Sequence, residues 1–285
     1  MVIKPFKRSH PIVLLVYFLS IITLMVIQSH YLVIIAGFIS SLYLFDQVDR
    51  QSFFKMIKYY IGLLILITIT NPLFVSEGYD ILYQNDLFVI TKQALVYGFI
   101  FGLLIITLLT IFKVMKYYLT DSHVIYLFGS ILPTLGLVIS MSLNLIERLK
   151  LQYQKIKEAN NLLPSKNKIK KQLDMLLILV TYAFESSLDM VNSMNSRGYG
   201  RKYRSSFHLY QFRKDDLLKI VIIFILDLIC FVGYFNFYRD FYYYPIVMSY
   251  HFKWLDLVFM ICLGSLIILP LLFKGEKRDV SNKKS

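Results

Sequence analysis

Six apolar runs approach the length of a membrane helix, and they constrain the fold of this chain more than any motif in it. A helix needs about 20 mostly apolar residues to cross the hydrocarbon core of a bilayer. The runs cover Pro11–Gln28, Tyr31–Phe45, Tyr59–Phe74, Gln93–Val114, Leu217–Tyr234 and Trp254–Phe273. Because 57% of the 285 residues are apolar and only 17% are charged, one soluble core could not hide them all. The sequence therefore predicts an all-α polytopic membrane protein with about six membrane helices, of which the first two suit a tight hairpin.

The distribution of charge predicts how the chain is oriented. Lys and Arg outnumber Asp and Glu by 31 to 18, a net charge of +13, and such an excess concentrates in cytoplasmic loops. The basic segments are the N-terminus, Asp46–Lys58, the middle of the chain and the tail Lys274–Ser285, so both termini are predicted in the cytoplasm. The acidic loop Val75–Ile90 is predicted outside, and its alternating apolar residues favour a short β-hairpin. No basic segment belongs to a recognisable nucleic-acid-binding module, so nucleic acid is not an expected partner.

Two shorter segments are expected at the membrane surface. Asp46–Lys58 has the amphipathic pattern of a helix that lies along the inner leaflet. The loop Asn236–Lys253 contains three consecutive tyrosines, Tyr242–Tyr244, and tyrosine is favoured at membrane interfaces. We expect this aromatic loop at the outer interface.

The middle of the chain differs from the spans on either side of it. Residues Ile146–Lys219 hold 15 of the 31 basic residues, and two long helical patterns, Leu135–Asn160 and Lys171–Arg197, lie in or near this stretch. Pro164 separates them, and proline is a poor continuer of a helix. The sequence therefore divides into N-terminal membrane helices (1–114), a cytoplasmic helical region (115–215) and C-terminal membrane helices with a basic tail (216–285).

The second of these helical patterns ends in an arginine. Five residues fall on one stripe of this helix, namely Ser186, Met190, Ser193, Met194 and Arg197. Gly198 suits the left-handed position that ends a helix, which would hold Arg197 at the tip of a stiff rod. A guanidinium at such a tip could bind a carboxylate of a partner through two hydrogen bonds. The alternative is an ordinary helix end, at which a cation is favourable for the helix dipole.

At this tip the sequence resembles a known family. Ser193–Gly200 is similar to the "AMEARGY" signature of the transmembrane T component of energy-coupling factor (ECF) transporters, the EcfT/CbiQ family. Ser122–Asn160 resembles the first long cytoplasmic helix of that family. The pairs His10-Pro11 and Thr120-Asp121 and the stretch Asn71–Phe74 are family-like too. The resemblance covers most of the chain, and its specificity is concentrated in Ser193–Gly200.

The resemblance implies a mechanism in which the chain is a scaffold. Two long coupling helices each present an end to one of two ABC-type ATPase subunits, which hydrolyse ATP. A small membrane protein, the substrate-binding S component, releases a vitamin or a metal ion such as cobalt inside the cell. The chain itself would be non-catalytic, without a cofactor, in the inner membrane of a bacterium. Its ATPase-contact residues would be Ser196, Arg197 and Gly198 on the second coupling helix and Ala159, Asn160 and Asn161 on the first.

The first coupling helix departs from the family pattern. It ends at Glu158-Ala159-Asn160-Asn161 and lacks the arginine that the family carries there. Lys155 or Lys157, about one turn earlier, could supply a positive charge, but an ammonium lacks the planar fork of a guanidinium. The two ATPase contacts are therefore expected to be unequal. The run Arg201, Lys202 and Arg204 could contact anionic lipid headgroups or extend the contact at Arg197.

Two other classes of function are weighed against this one. A membrane-embedded enzyme acting on a lipid would need paired carboxylates or a nucleophile, and the sequence contains no GxxxxGK[ST], HExxH or GxSxG motif. A secondary transporter would be expected to show internal repeats, and no repeat is evident in the sequence. Asp227, an ionisable residue at membrane depth, is either functional or a hydrogen-bonded contact between helices.

Overall fold

The fold is built almost entirely of α-helices. The computed structural model describes residues 9–75, 78–84, 89–131, 133–162, 168–200, 210, 212–238, 241–248 and 253–272. Its helices are α1 (Pro11–Ile27), α2 (Tyr31–Val48), α3 (Arg50–Phe74), α4 (Lys92–Tyr118), α5 (Asp121–Ile131), α6 (Pro133–Leu162), α7 (Lys168–Ser196), α8 (Lys214–Gly233) and α9 (Trp254–Leu272). A π-helical turn, Tyr234–Tyr238, extends α8, and two short strands, β1 (Ile81–Gln84) and β2 (Val89–Thr91), pair antiparallel. The predicted all-α class is confirmed.

The chain forms two compact units. The first comprises residues 1–120 and 210–285, and the second comprises residues 121–209. Five helices of the first unit, α2, α3, α4, α8 and α9, are long and apolar enough to cross a membrane. Helix α1 is equally apolar but has only 17 residues. The chain is therefore a multi-pass membrane protein.

Helix α1 is the most deeply buried helix of the first unit. The side chains of Val13, Leu14 and Tyr17 are fully buried in a core shared with α2, α4, α8 and α9. The Tyr17 hydroxyl donates to the backbone carbonyl of Ile267 in α9, at 2.7 Å. One face of α1 is therefore packed against the other helices, while Leu19 and Val26 on the opposite face are more than half exposed.

The helices of the first unit have a clear polarity. Helices α1 and α8 begin together, because the His10 backbone N–H donates to Asp216 Oδ1 at 3.3 Å. We call this the first end. Helix α2 begins at the opposite, second end, where the Tyr243 hydroxyl donates to the Ser29 carbonyl at 2.8 Å. Helix α4 returns to the first end, where Lys113 Nζ lies 4.7 Å from the ring centroid of Phe45 near the end of α2.

The predicted hairpin between the third and fourth membrane helices is confirmed. Strands β1 and β2 lie at the second end and are tied to the start of α4. The Lys92 N–H donates to the Asp80 carbonyl at 2.9 Å, and Gln93 Nε2 donates to Asp80 Oδ2 at 3.1 Å. Thr91 then caps α4 by accepting from the Ala94 N–H.

One expectation for the membrane surface was wrong. The segment Asp46–Lys58 is not a separate surface helix, because α3 runs without a break from Arg50 to Phe74. Asp49 caps the start of α3, and neither Gly62 nor Pro72 ends the helix before Phe74.

The aromatic loop lies at the second end. Tyr243 is buried against Tyr97, with ring centroids 5.3 Å apart, whereas Tyr242 is exposed. The position of this loop at the outer interface stays a prediction.

A short motif recurs at the starts of the first two helices. Ser9-His10 recurs 20 residues later as Ser29-His30, and each histidine caps the helix that follows. Nδ1 of His10 accepts from the Ile12 N–H at 3.3 Å, and Nδ1 of His30 accepts from the Leu32 N–H at 3.4 Å. The starts of α1 and α2 are therefore alike in structure as well as in sequence.

A second motif recurs in the helices that pair with these two. Arg213-x-x-Asp216 begins α8, and Lys253-x-x-Asp256 begins α9 forty residues later. In both, the aspartate is buried and accepts from the backbone N–H of the basic residue, at 3.2 and 2.7 Å. The start of α9 lies near the start of α2, because Asp256 Oδ1 accepts from the hydroxyl of Tyr238, and the ring centroid of Tyr238 lies 4.6 Å from that of His30.

The two motifs together give an inverted arrangement of helix starts. The pair α1/α8 begins at the first end, and the pair α2/α9 begins at the second end. The motifs recur at different spacings, 20 and 40 residues, and each recurs in the next helix of the chain.

The buried Asp216 should contribute more to stability than its neighbour Asp215. Asp216 accepts backbone hydrogen bonds from His10 and Arg213 and lies 3.8 Å from Lys219 Nζ, whereas Asp215 is exposed in the same helical turn. We expect Asp216→Ala to lower the free energy of unfolding by about 3 kcal/mol, because it leaves buried donors unpaired. Asp215→Ala should change it by less than about 0.5 kcal/mol. Thermal unfolding of the two variants in detergent measures the difference, and equal melting temperatures would contradict this role.

The second end should be sensitive to acid through His30. Burial lowers the pKa of His30 from 6.5 to about 4, and the nearby Asp256 only partly opposes this shift. The folded state holds the His30 ring in its neutral form. The contribution of His30 to folding stability is therefore complete above pH 6.5 and is lost as the pH falls towards 4. His30→Asn keeps an N-cap but removes the titration. Between pH 7 and 5 the melting temperature of the wild type should fall more steeply than that of the variant, and parallel pH profiles would contradict the assignment.

Candidate functional site

The second unit begins with two helices where the resemblance implied one. A single long helix was expected from Ser122, but α5 ends at Ile131 and α6 begins with Pro133. Proline has no N–H to continue a helix and clashes with the preceding turn, which explains the break. A Cβ atom added at Gly136 would lie 2.5 Å from the Cα of Gly129, so the two helices approach closely through their glycines.

Helices α6 and α7 form the two long rods that the sequence predicts. The patterns Leu135–Asn160 and Lys171–Arg197 are confirmed as helices with slightly wider bounds. The end of α6 is joined to the start of α7 by a hydrogen bond, in which Asn160 Nδ2 donates to the Lys171 carbonyl at 3.2 Å. This bond fixes the relative position of the two helices at that point.

The C-terminus of α7 is closed by a Schellman motif. The Gly198 N–H donates to the Asn195 carbonyl at 3.0 Å, and the Tyr199 N–H donates to the Met194 carbonyl at 3.1 Å. Gly198 has a φ of +78°, so the predicted left-handed glycine is confirmed. Two carbonyls that would otherwise be free at the helix end are thereby satisfied. The last turn of α7, which carries Arg197, is therefore well fixed.

The stripe that leads to Arg197 becomes more exposed towards the tip. Ser186 is buried and Met190 is half-buried, whereas Ser193 and Arg197 are exposed. Within the described residues the guanidinium of Arg197 makes no ion pair. The side chain is therefore a free cation at a rigid helix end, which suits binding of an anionic group on another molecule. The neighbouring Arg201, Lys202 and Arg204 lie outside the described residues.

The residues expected to form the other contact have a different environment. Ala159 and Asn161 are exposed at the end of α6. Asn160 lies between them and is half-buried, and its amide group is engaged by Lys171 of α7. Lys155 and Lys157 are both exposed. The end of α6 thus carries positive charge one turn back, but no arginine.

The structure does not bring the two candidate contacts together. Asn160 lies beside Lys171, at the start of α7, whereas Arg197 follows the last residue of the same helix. At a rise of 1.5 Å per residue the two are about 39 Å apart. Ser196–Gly198 and Ala159–Asn161 are therefore two separate surfaces, at opposite ends of α7.

Sequence reasoning missed an apolar face on α7. Four large side chains on one side of the helix are more than half exposed, namely Leu173, Leu177, Phe184 and Leu188. Their spacing of four, seven and four residues places them on one stripe, and this periodicity was visible in the sequence. A contiguous exposed apolar stripe is typical of a surface that binds a partner or lipid.

The described residues contain no evident metal centre, and comparison with known proteins gives no match. Among the described residues, no group of three or more His, Cys, Asp or Glu side chains could hold a metal ion. No protein-family model matches the chain, and no curated protein matches it. The similarity to ECF T components accordingly stands on the motif Ser193–Gly200 and on the helices that carry it.

The left-handed Gly198 should be needed to keep the tip of α7 ordered. Gly198→Ala places a Cβ atom in a disfavoured backbone conformation, at a cost of about 1 kcal/mol. Gly198→Asn should be better tolerated, because asparagine adopts the left-handed conformation more readily. Hydrogen exchange of the Gly198 and Tyr199 amides measures the effect. We expect faster exchange in the alanine variant than in the asparagine variant, and equal protection in both would contradict the role of this glycine.

Proposed function

We propose that this chain is the transmembrane scaffold subunit, or T component, of an ECF-type ABC importer. Its partners are two ABC-type ATPase subunits and a substrate-binding S component, and its location is the inner membrane of a bacterium. The cargo is a vitamin or a metal ion, which the S component selects. The observation that carries the proposal is the exposed guanidinium of Arg197 at the closed end of α7, within a sequence that resembles the family signature.

The geometry of the tip supports a mechanical role. A Schellman motif holds the last turn of α7, so a force applied at Arg197 is transmitted along a continuous helix of 29 residues. A guanidinium can hold a carboxylate of an ATPase subunit through two parallel hydrogen bonds, which fixes direction as well as distance. Movement of the ATPase subunits during ATP hydrolysis would therefore move α7.

The charge distribution of the first unit supports a cytoplasmic position for both termini. Most described basic residues of the membrane helices gather at the first end, namely Arg50, Lys55, Lys113, Lys116, Arg213, Lys214 and Lys219. At the second end they are Lys92 and Lys253. By the positive-inside rule the first end faces the cytoplasm. Helix α1 begins and helix α9 ends at that end, so both termini are assigned to the cytoplasm.

The two ATPase contacts are unequal in this proposal. Ser196, Arg197 and Gly198 form the first contact. At the other, Asn160 is held by α7, so the exposed Ala159 and Asn161 form the contact surface, and Lys155 or Lys157 supplies the positive charge. An ammonium forms a weaker and less directional contact than a guanidinium.

Reversing the charge of Arg197 should remove one ATPase contact. We expect Arg197→Glu to reduce copurification of ATPase subunits with the tagged chain, and uptake of the cargo, at least tenfold, because the attraction between the guanidinium and a carboxylate of the ATPase becomes a repulsion. Arg148→Glu, an exposed arginine on α6, is the matched control and should leave both unchanged. Arg197→Lys should reduce copurification and uptake by less than Arg197→Glu does, because it keeps the charge but loses the fork of the guanidinium. Normal assembly and uptake with Arg197→Glu would refute the role of this residue, and the absence of any ATPase from the wild-type preparation would refute the proposal.

A secondary transporter is the second candidate, because the pairs α1/α8 and α2/α9 begin at opposite ends of the first unit with similar motifs. Transporters of this class often contain inverted repeats, with broken helices around a site near the membrane centre. Within the described residues, however, these four helices are continuous. Ion-driven transport by the purified chain alone in proteoliposomes would favour this candidate, and transport that requires ATPase subunits would exclude it.

A further inference from the structure

Helix α3 is the least buried of the five candidate membrane spans. Only 6% of its most apolar stretch is buried, compared with 17–44% in the other four. One side of α3 is held tightly against α4, because a Cβ atom added at Gly98 would lie 2.8 Å from Asn71 Cβ. The remaining surface is lined by large apolar side chains that are more than half exposed, namely Phe54, Tyr59, Ile61, Ile65, Leu66 and Ile69.

Helix α3 is also longer than the hydrocarbon core of a bilayer is thick. Its 25 residues extend over about 37 Å, whereas the core is about 30 Å thick. Measured from Phe74 at the second end, Lys55 lies about 28 Å along the helix and Lys58 about 24 Å along it. Lys55 is therefore at the level of the lipid headgroups at the first end. Lys58 reaches the same level by extending its side chain towards the membrane surface.

A glycine interrupts the exposed side of α3 below these lysines. Gly62 lies seven residues after Lys55 and three after Tyr59, so the three residues share one side of the helix. A Cβ atom at Gly62 would have no neighbour within 4 Å. Tyr59 and Leu66, on either side of Gly62, are both more than half exposed. The missing side chain therefore leaves a notch among large side chains, and this notch opens towards lipid.

The charge above the notch is positive and is not compensated within the described residues. Helix α3 contains no aspartate or glutamate. Of the two carboxylates just before it, Asp46 pairs with Arg50 at 3.9 Å, and Asp49 caps the start of the helix. Lys55 and Lys58 are exposed and make no ion pair in the part of the chain that the structure describes. Two cations at headgroup level complement an anionic headgroup.

A phospholipid with a net negative headgroup fits the lysines and the notch together. Its phosphate can accept hydrogen bonds from two ammonium groups, and an ester carbonyl at the glycerol level can accept one from the Tyr59 hydroxyl. An acyl chain can then lie against the bare backbone at Gly62. We propose that Lys55, Lys58, Tyr59 and Gly62 form a binding site for one anionic phospholipid. The inference requires only that the chain spans a membrane, so it does not depend on the proposed importer.

The affinity of the full chain for phosphatidylglycerol tests the role of the lysines. The probe is a phosphatidylglycerol with a fluorophore at the end of one acyl chain, titrated in detergent micelles. Lys55→Gln/Lys58→Gln should weaken binding about 25-fold, since each lysine near a membrane surface contributes about fivefold. Lys92→Gln/Lys150→Gln removes the same charge from exposed positions of α4 and α6, and should leave the affinity unchanged. Equal effects of the two double variants would overturn the site, because they would show a diffuse attraction of charge.

Filling the notch tests the site while both lysines remain. Gly62→Leu introduces a good helix former whose Cβ meets no neighbour, so the helix should stay folded. We expect its affinity for the probe to fall about threefold or more, because the acyl chain loses contacts with the helix. Ile61→Leu, at the preceding exposed position, is the control and should bind normally. Unchanged binding by Gly62→Leu would overturn the site.

The choice of competitor identifies the ligand. Unlabelled phosphatidylglycerol should displace the probe, whereas phosphatidylcholine should not compete, because its headgroup carries a cation that the lysines repel. Inorganic phosphate at matched ionic strength should not compete either, because it makes no use of the notch. Displacement by phosphate or by phosphatidylcholine as effective as that by phosphatidylglycerol would overturn the proposal.

Photolabelling tests the position of the lipid in a bilayer. A phosphatidylglycerol with a diazirine in the upper part of one acyl chain, in vesicles of phosphatidylcholine, should label residues 59–66 most strongly. Exposed positions of other membrane helices, such as Ile39 and Phe224, should be labelled less. Lys55→Gln/Lys58→Gln should remove this preference. Even labelling of all exposed positions in the wild type would overturn the site.

Discussion

The lack of hydrogen-bond partners in the lipid is the constraint on which the rest of this structure depends. Polar groups inside a membrane unit must find partners within the protein. The hydroxyls of Ser40, Thr107 and Thr110 each donate to a carbonyl one turn earlier in their own helix. The Tyr17 hydroxyl instead joins two helices through the Ile267 carbonyl. Such bonds let polar residues occupy a core that is otherwise apolar, and the longer ones fix which helices are neighbours.

The helix starts are where this constraint shapes the fold most strongly. Each start leaves backbone N–H groups without partners, and here His10 and His30 cap two of them. Asp216 and Asp256 then serve their own helix starts and the neighbouring helix at once. Because Asp216 accepts from the starts of both α1 and α8, these two starts must lie side by side. Asp256 instead joins the start of α9 to Tyr238 in the π-helical turn after α8, so the two ends are fixed by different pairings.

The sequence predicted what depends on local patterns and missed what depends on pairing. Apolar runs located the membrane helices, alternation located the β-hairpin, and Gly198 located the end of α7. The continuity of α3 through Arg50–Phe74 was missed, because an amphipathic pattern alone does not show where a helix stops. The bond from Tyr243 to Ser29 and the bond from the His10 backbone to Asp216 were missed, because each joins residues more than 200 positions apart. At the candidate site, the sequence located Arg197 but not the engagement of Asn160 by α7.

Arg197 differs from the charged groups that fix the helix starts. Asp216 and Asp256 are buried and accept hydrogen bonds from within the chain, whereas Arg197 is exposed and makes no ion pair within the described residues. A charge that is left exposed on an ordered helix end is available to a group outside the chain. In the proposed importer, that group belongs to an ATPase subunit.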